Sequence, residues 1–270
     1  MMRLRARISI LRNKGKQMSD AVVKTRSNKE IRSYARERLL GNMFIPCMIT
    51  LFFFTVKNTF ELLMQLGVIG SDMLSFIFYV FLFITVNSVF GLIRCGITRF
   101  FLSFVTSKKA NPLNAFTIFG SSTEVIISAS FMLSIISILV QMPYLVYSFF
   151  FADNTVQSLL IALIMMLAVN IVIFLIDTYL FPIYFVICDY PDMRLPMVLI
   201  MTLSLMNKKQ FFKYLSLQIS FIPMYFLGFI TLGIGLLWVV PYAYTSYAYF
   251  YENLCEEYLQ NQVNSQDSSI

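Results

Sequence analysis

Residues 156–187 read VQSLLIALIMMLAVNIVIFLIDTYLFPIYFVI, and Asp177 is the one charged side chain in the whole run. A helix needs about 20 apolar residues to cross a hydrocarbon layer of roughly 30 Å, so this stretch is long enough to span a bilayer and continue beyond it. Working outward, five further apolar runs have span length, at about 43–66, 74–93, 125–151, 212–230 and 234–254. Composition agrees. The 270 residues are 58% hydrophobic and only 13% charged, with a mean hydropathy of +0.73, and soluble domains carry about twice that charge. The expected fold class is therefore all-α: a polytopic membrane helical bundle of about six transmembrane helices with amphipathic interfacial helices.

The basic residues orient this ladder. All but one of the 21 Lys and Arg lie in the leader up to Arg38, in the linker with Arg94, Arg99, Lys108 and Lys109, or near Arg194, Lys208, Lys209 and Lys213. The three intervening connections, near Gly67–Asp72, Ala152–Asn154 and Thr231–Gly233, have none. Cationic side chains beside span ends resist translocation, so both termini are expected in the cytoplasm of a plasma-membrane protein. The net charge of +7 suits an anionic inner leaflet, where each juxtamembrane cation contributes about 1 kcal/mol. A lipid bilayer with such a leaflet is thus the expected partner, with another membrane protein as a further partner; nucleic acid is not expected. The apolar stretches before Lys16 are too short for a cleavable signal core, and Met18 is an alternative start.

Three regions follow: a basic tail at 1–26, a single integral membrane domain at 27–258 and a polar tail at 259–270 expected to be disordered. Ser27 and Glu30 have capping-box spacing. The helix they open, to about Leu40, places Ile31, Ala35 and Leu39 on one face among basic residues, a pattern for lying in the headgroup plane. The second span is expected to continue to about Thr106, a short interfacial piece to occupy 114–120, and a short apolar helix 196–206. Thr231-Leu232-Gly233-Ile234-Gly235 is either a tight outer turn or the break in a re-entrant element.

Candidates for chemistry are few. The chain has no histidine, which removes the usual proton shuttle and commonest transition-metal ligand, and no CxxC, HExxH or phosphate-binding glycine loop. Cys47, Cys95, Cys188 and Cys255 read as free thiols near the cytoplasmic side. No catalytic residue, metal site or cofactor is expected. Asp177 and Asn170, seven residues apart, share a helical face; an intramembrane carboxylate is a functional candidate by default, whereas a span ending near Leu175 would leave Asp177 at the interface. Lys57 and Glu61 form an i, i+4 pair able to neutralise each other, either at the headgroups or along a path between helices. Ser130, Ser134, Ser137 and Gln141 make a small polar stripe suited to helix packing. Pro143, Pro182, Pro223 and Pro241 each fall within a span; broken helices of this kind build transporter sites, but proline is common in membrane helices generally.

Three blocks carry a resemblance. They are Asn28-Lys29-Glu30-Ile31-Arg32 through Leu40-Gly41-Asn42; Tyr184 through Cys188-Asp189-Tyr190-Pro191 to Ser204-Leu205-Met206; and Leu232-Gly233-Ile234-Gly235 with Trp238, Pro241-Tyr242 and Ala248-Tyr249-Phe250-Tyr251. Over about Asn28 to Tyr258 the chain resembles a bacterial multi-pass membrane protein family catalogued as domain of unknown function 975. It departs at Asn207, where glycine is expected, and at Ile222-Pro223, where a bulkier residue is. The resemblance implies the six-span layout and a bacterial membrane, marks Asp189, Pro191, Gly233, Gly235, Trp238, Pro241, Tyr242, Phe250 and Tyr251 as family-motif positions, and brings no established activity. Two functions stay open: a non-enzymatic scaffold binding a membrane protein or lipid through the inner aromatic-basic linkers, and a small-solute or ion transporter subunit using Asp177 and Asn170.

Overall fold

A computed structural model describes the backbone of residues 26–67, 73–107, 112–115, 123–153 and 155–267; the side chains of 61, 63–67, 114–115 and 262–267 are outside the description. The described residues form helices joined by short turns, with no strand among them. In order they form α1 (Asn28–Leu39), α2 (Phe44–Gly67), α3 (Met73–Thr106), α4 (Thr123–Val146), α5 (Val156–Tyr179), α6 (Ile183–Asp189), α7 (Leu195–Leu205), α8 (Lys208–Ile219), α9 (Ile222–Ile230) and α10 (Leu236–Asp267). A short 3-10 turn, Pro112–Ala115, lies between α3 and α4. Most of the 114–120 interfacial piece falls outside the described residues.

Four stretches are long and apolar enough to cross a membrane: Met73–Thr106, Thr123–Phe151, Val156–Asp189 and Lys208–Ile230. A fifth counts if α1 and the start of α2, bent by 102°, are one broken span. The expected sixth is not among them. Its segment is the first part of α10, which interleaves Leu236, Leu237, Val239 and Val240 with five tyrosines and then turns acidic at Glu252, Glu256 and Glu257. That mixture suits contact with protein better than contact with hydrocarbon.

Contacts along α10 bear this out. The Arg26 amide donates to Asn253 Oδ1 at 3.2 Å, the Tyr242 hydroxyl to the Arg32 carbonyl at 3.2 Å, and the Cys47 thiol to the Leu237 carbonyl at 3.0 Å. The N-terminal end of α1 thus meets the far part of α10, while the start of α2 meets its beginning. α1 lies alongside α10, and the bend then turns α2 across both. Cys47 beside Leu237 also brings the head of α2 to the Leu232–Gly235 turn, which joins the Lys208–Ile230 stretch to α10. The turn's glycines are needed: Gly233 has φ +88°, and a Cβ on Gly235 would come within 2.9 Å of the Gly228 Cα.

The capping box at Ser27 forms as its spacing predicts, with Ser27 Oγ accepting from the Glu30 amide at 3.3 Å and Glu30 Oε2 from the Ser27 amide at 2.7 Å. Gly41, at φ +80°, ends the helix. The face of Ile31, Ala35 and Leu39 is completely covered, yet by protein rather than lipid. Ile31 packs with Tyr214, Leu217, Phe250 and Leu254, and Leu39 with the Phe100–Phe104 cluster. The aromatic part of the basic linker behaves likewise. α3 continues to Thr106 as expected, but Phe100, Phe101 and Phe104 are buried, so they hold the fold together and present no docking surface.

The core is built from α1, the start of α2, the last turns of α3, the start of α4, and α6, α7, α8 and α10. Away from it the apolar side chains are largely uncovered. None of the most apolar stretch of α5 is buried, which a helix in water could not sustain and a helix in lipid can.

Candidate functional site, a charged groove between α2 and α3

The α3 residues Tyr79, Phe83, Val86, Asn87, Phe90, Ile93, Arg94 and Ile97 recur at helical spacing and form one wall of a cavity of about 470 Å³. Thr50, Phe53, Phe54 and Lys57 of α2 form the opposite wall, and Val240 and Tyr244 of α10 close one side. Apolar helices supply the walls; Lys57 and Arg94, from different helices, supply positive charge. Phe60 meets Phe90 edge-on at 5.4 Å between ring centres. Lys57, one turn back along α2, therefore comes level with Arg94, one turn on along α3.

Asp177 joins this pair. It lies on the exposed side of α5, and its carboxylate interacts electrostatically with both Arg94 and Lys57, Arg94 the more strongly. The structure thus brings together two residues singled out separately in the sequence and adds Arg94, which the charge ladder had read only as a marker of orientation. The Tyr184 hydroxyl lies 3.0 Å from Ser130 Oγ and comes under the charge of Arg94. From Met73 to Arg94, and from Val156 to Asp177, the chain advances 21 residues (94 − 73 and 177 − 156). At 1.5 Å per residue both stand about 31 Å along their helices, close to one hydrocarbon thickness.

Asn170 does not join them. Its side-chain amide donates to the Met166 carbonyl of its own helix at 2.8 Å, and the residue is exposed. The Lys57–Glu61 pairing lies outside the described side chains. Of the serine stripe, Ser130 packs against α3: a Cβ on Gly91 would lie 1.6 Å from Ser130 Oγ and 2.3 Å from Ser130 Cβ, so α3 and α4 touch backbone to side chain there. Small residues permit that approach. Thr178, completely buried, ties α5 to α8 by a 2.8 Å hydrogen bond to Gln218 Oε1.

Of the family-motif positions, Phe250 and Tyr251 lie in the core and Tyr242 packs against it. Tyr251 stacks on Phe185 at 4.9 Å and its hydroxyl donates to Asp189 Oδ2 at 3.2 Å, joining α10 to α6. Pro191 occupies the turn closed by the Met193 amide on the Tyr190 carbonyl. Phe250 packs against Tyr214 and beneath Lys213, whose Nζ is 5.7 Å from the ring centre. Pro241 is carried inside α10, and its carbonyl accepts from Thr245 Oγ1 at 2.7 Å. Trp238 is 55% exposed. None of these lines the groove. Its further residues, Asn87, Tyr79, Thr50 and Tyr244, were not legible as a set. The available signal was Asn87, a polar residue in an apolar run seven positions before Arg94.

At Asn207 the departure from glycine has a local reason: its Oδ1 accepts from the Gln210 amide at 3.0 Å and caps α8, which glycine could not do. Neither a curated protein nor a solved structure matches the chain. The family model described as Protein of unknown function (DUF975) matches residues 18–258, which covers the three blocks that carry the resemblance, the groove and the core. This chain belongs to that family.

Proposed function

We propose that the protein is a non-enzymatic membrane scaffold, set in the plasma membrane with both termini on the cytoplasmic side, that binds another membrane protein or lipid. The uncovered α5 carries this reading. Leu159, Leu163, Ile164, Leu167 and Ile171 are each between 48% and 65% exposed, so the helix offers a continuous apolar face to whatever lies beside it in the bilayer. The basic leader favours the cytoplasmic leaflet for the N-terminus, and the lack of histidine favours a binding role over catalysis. Photo-crosslinking side chains introduced at Leu163 and Leu167 in native membranes test it. A discrete adduct with a second protein chain supports a protein scaffold; adducts with lipid alone at both positions refute that half.

A second reading has its own observation, the interaction of Asp177 with Arg94 and Lys57 beside the groove. A transporter subunit would use that carboxylate for a cation or proton. If Asp177→Asn keeps normal abundance and abolishes a measurable solute flux, transport replaces the scaffold. If flux is unchanged, transport through this residue is refuted.

A further inference from the structure

We propose that α9 and the start of α10 form a re-entrant hairpin whose apolar tip packs among the acyl chains of one leaflet, the one on the side of α1, and ends near the bilayer centre. This rests on the membrane setting of the reading above. Between Lys213 and Glu252 the chain has no charged residue. At the turn Leu232 is 95% exposed, and Phe229, Ile230, Ile234 and Trp238 are each more than half exposed. An uncovered apolar tip of this size needs a partner. The backbone says which. Every amide from Thr231 to Val239 donates within the hairpin: the Gly235 amide to Thr231 Oγ1 at 2.8 Å, the Gly233 amide to the Gly228 carbonyl at 3.1 Å, and the others to carbonyls three or four residues back. Water would satisfy an open turn at no cost, and a polar protein partner would use these donors. Hydrocarbon can do neither, so there the hairpin has to pair its own amides.

The depth follows from the contacts of α1. Six of its twelve residues are charged, which keeps it at the headgroups or in water. The Tyr242 hydroxyl donates to the Arg32 carbonyl at 3.2 Å, and Phe221 meets the Tyr242 ring edge-on at 5.2 Å, so both arms of the hairpin pass α1 near Arg32. From there the tip is ten residues away along either arm (242 − 232 and 231 − 221). At 1.5 Å per residue that is about 15 Å, half of a hydrocarbon layer of roughly 30 Å. Tilting the hairpin only shortens its reach. The Lys208–Ile230 stretch is long enough to cross, but its first half runs beside α1, where the Asn28 side-chain amide donates to the Lys213 carbonyl at 3.0 Å. The far part of α10 returns to the same side, with Arg26 Nη2 3.5 Å from Glu256 Oε2. The chain thus enters and leaves through one face.

The test places a single tryptophan at the tip. Trp238 is the only tryptophan of the chain, so full-length Trp238→Phe/Leu232→Trp reports the turn. Trp238→Phe/Ile234→Trp is the second probe should the first misfold, and each is used only at an unchanged elution volume. The proteins are reconstituted in vesicles of phosphatidylcholine brominated near the ester end, the middle or the methyl end of its acyl chains, with iodide as the aqueous quencher. The expected loss of tip fluorescence is largest with bromine at the methyl end, smallest at the ester end, and negligible with iodide. Wild-type Trp238, about 9 Å back along α10 (238 − 232 residues), is expected to shift toward quenching at the ester end. Strongest quenching of the tip by bromine at the ester end would put it at a membrane surface and overturn the proposal. So would quenching by iodide, the sign of a turn in water, or protection from every bromine position, the sign of a tip covered by another protein chain. None of these outcomes alters the α5 crosslinks at Leu163 and Leu167, so failure here and failure of the scaffold reading are told apart.

Discussion

Gly91→Ala tests the close contact between α3 and α4. The added methyl would lie 1.6 Å from Ser130 Oγ and 2.3 Å from Ser130 Cβ. A rotamer change can move the hydroxyl but not the Cβ, so the helices must separate. Overpacking of this kind costs typically 1–3 kcal/mol, and a clash with a Cβ belongs near the top of that range. Ala is about 1 kcal/mol better than Gly in a helix interior, which leaves a net loss of about 2 kcal/mol. Ser130→Gly alone forfeits the hydrogen bond to Tyr184, about 1 kcal/mol, and about 0.5 kcal/mol of helix propensity. In the double variant the clash disappears, because the Tyr184 hydroxyl, 3.5 Å from the new methyl, is at ordinary contact. The pair should then be only about 0.5 kcal/mol below wild type, against about 3.5 kcal/mol if the two losses added. Unfolding midpoints in mixed sodium dodecyl sulfate and dodecyl maltoside micelles measure all four proteins. Additive losses, or a Gly91→Ala protein as stable as wild type, would refute the close approach of α3 and α4 at this point.

Other outcomes can be checked alongside. Ser27→Ala removes the hydroxyl half of the capping box and should cost about 1 kcal/mol, loosening α1 from α10 and raising amide exchange over residues 28–31. Gly233→Ala places a side chain at φ +88° and should cost about 1–2 kcal/mol, read as a lower unfolding midpoint. Cys95 and Cys188 have sulfurs 3.2 Å apart between α3 and α6, so a membrane-permeant oxidant such as iodine should join them. The two thiols then lose two hydrogens as iodide forms, and Cys188→Ser abolishes the mass change. Cys95 and Cys255 are buried and should stay unlabelled by maleimide even in permeabilised cells; labelling of either in the folded protein would contradict the core described here.

Several local devices were legible because short-range chemistry fixes them. The Ser27–Glu30 box, the stop at Gly41, the continuation of α3 to Thr106 and the break before Pro182 each depend on residues within one or two turns, and each forms. The same holds for span length, which counting apolar residues measures directly. The groove was not legible. Lys57 pairs by spacing with Glu61 and Asp177 aligns by spacing with Asn170, since periodicity reports only neighbours on one helix. That Asp177 instead comes under the charge of Arg94 and Lys57 depends on how three helices pack.

The sequence by itself determined an all-helical chain made for a bilayer, because a run such as 156–187 cannot be hidden inside a chain of 270 residues and must meet lipid. Only the tertiary structure decided what the amphipathic pieces are for. The face of Ile31, Ala35 and Leu39 reads identically whether it covers lipid or protein, since burial removes the same apolar area from water either way. Contacts with Tyr214, Phe250 and Leu254 settle it as protein. The tyrosine-rich first half of α10 likewise has span length, and it is its alignment with α1, itself bent by 102° from α2, that makes it part of the core.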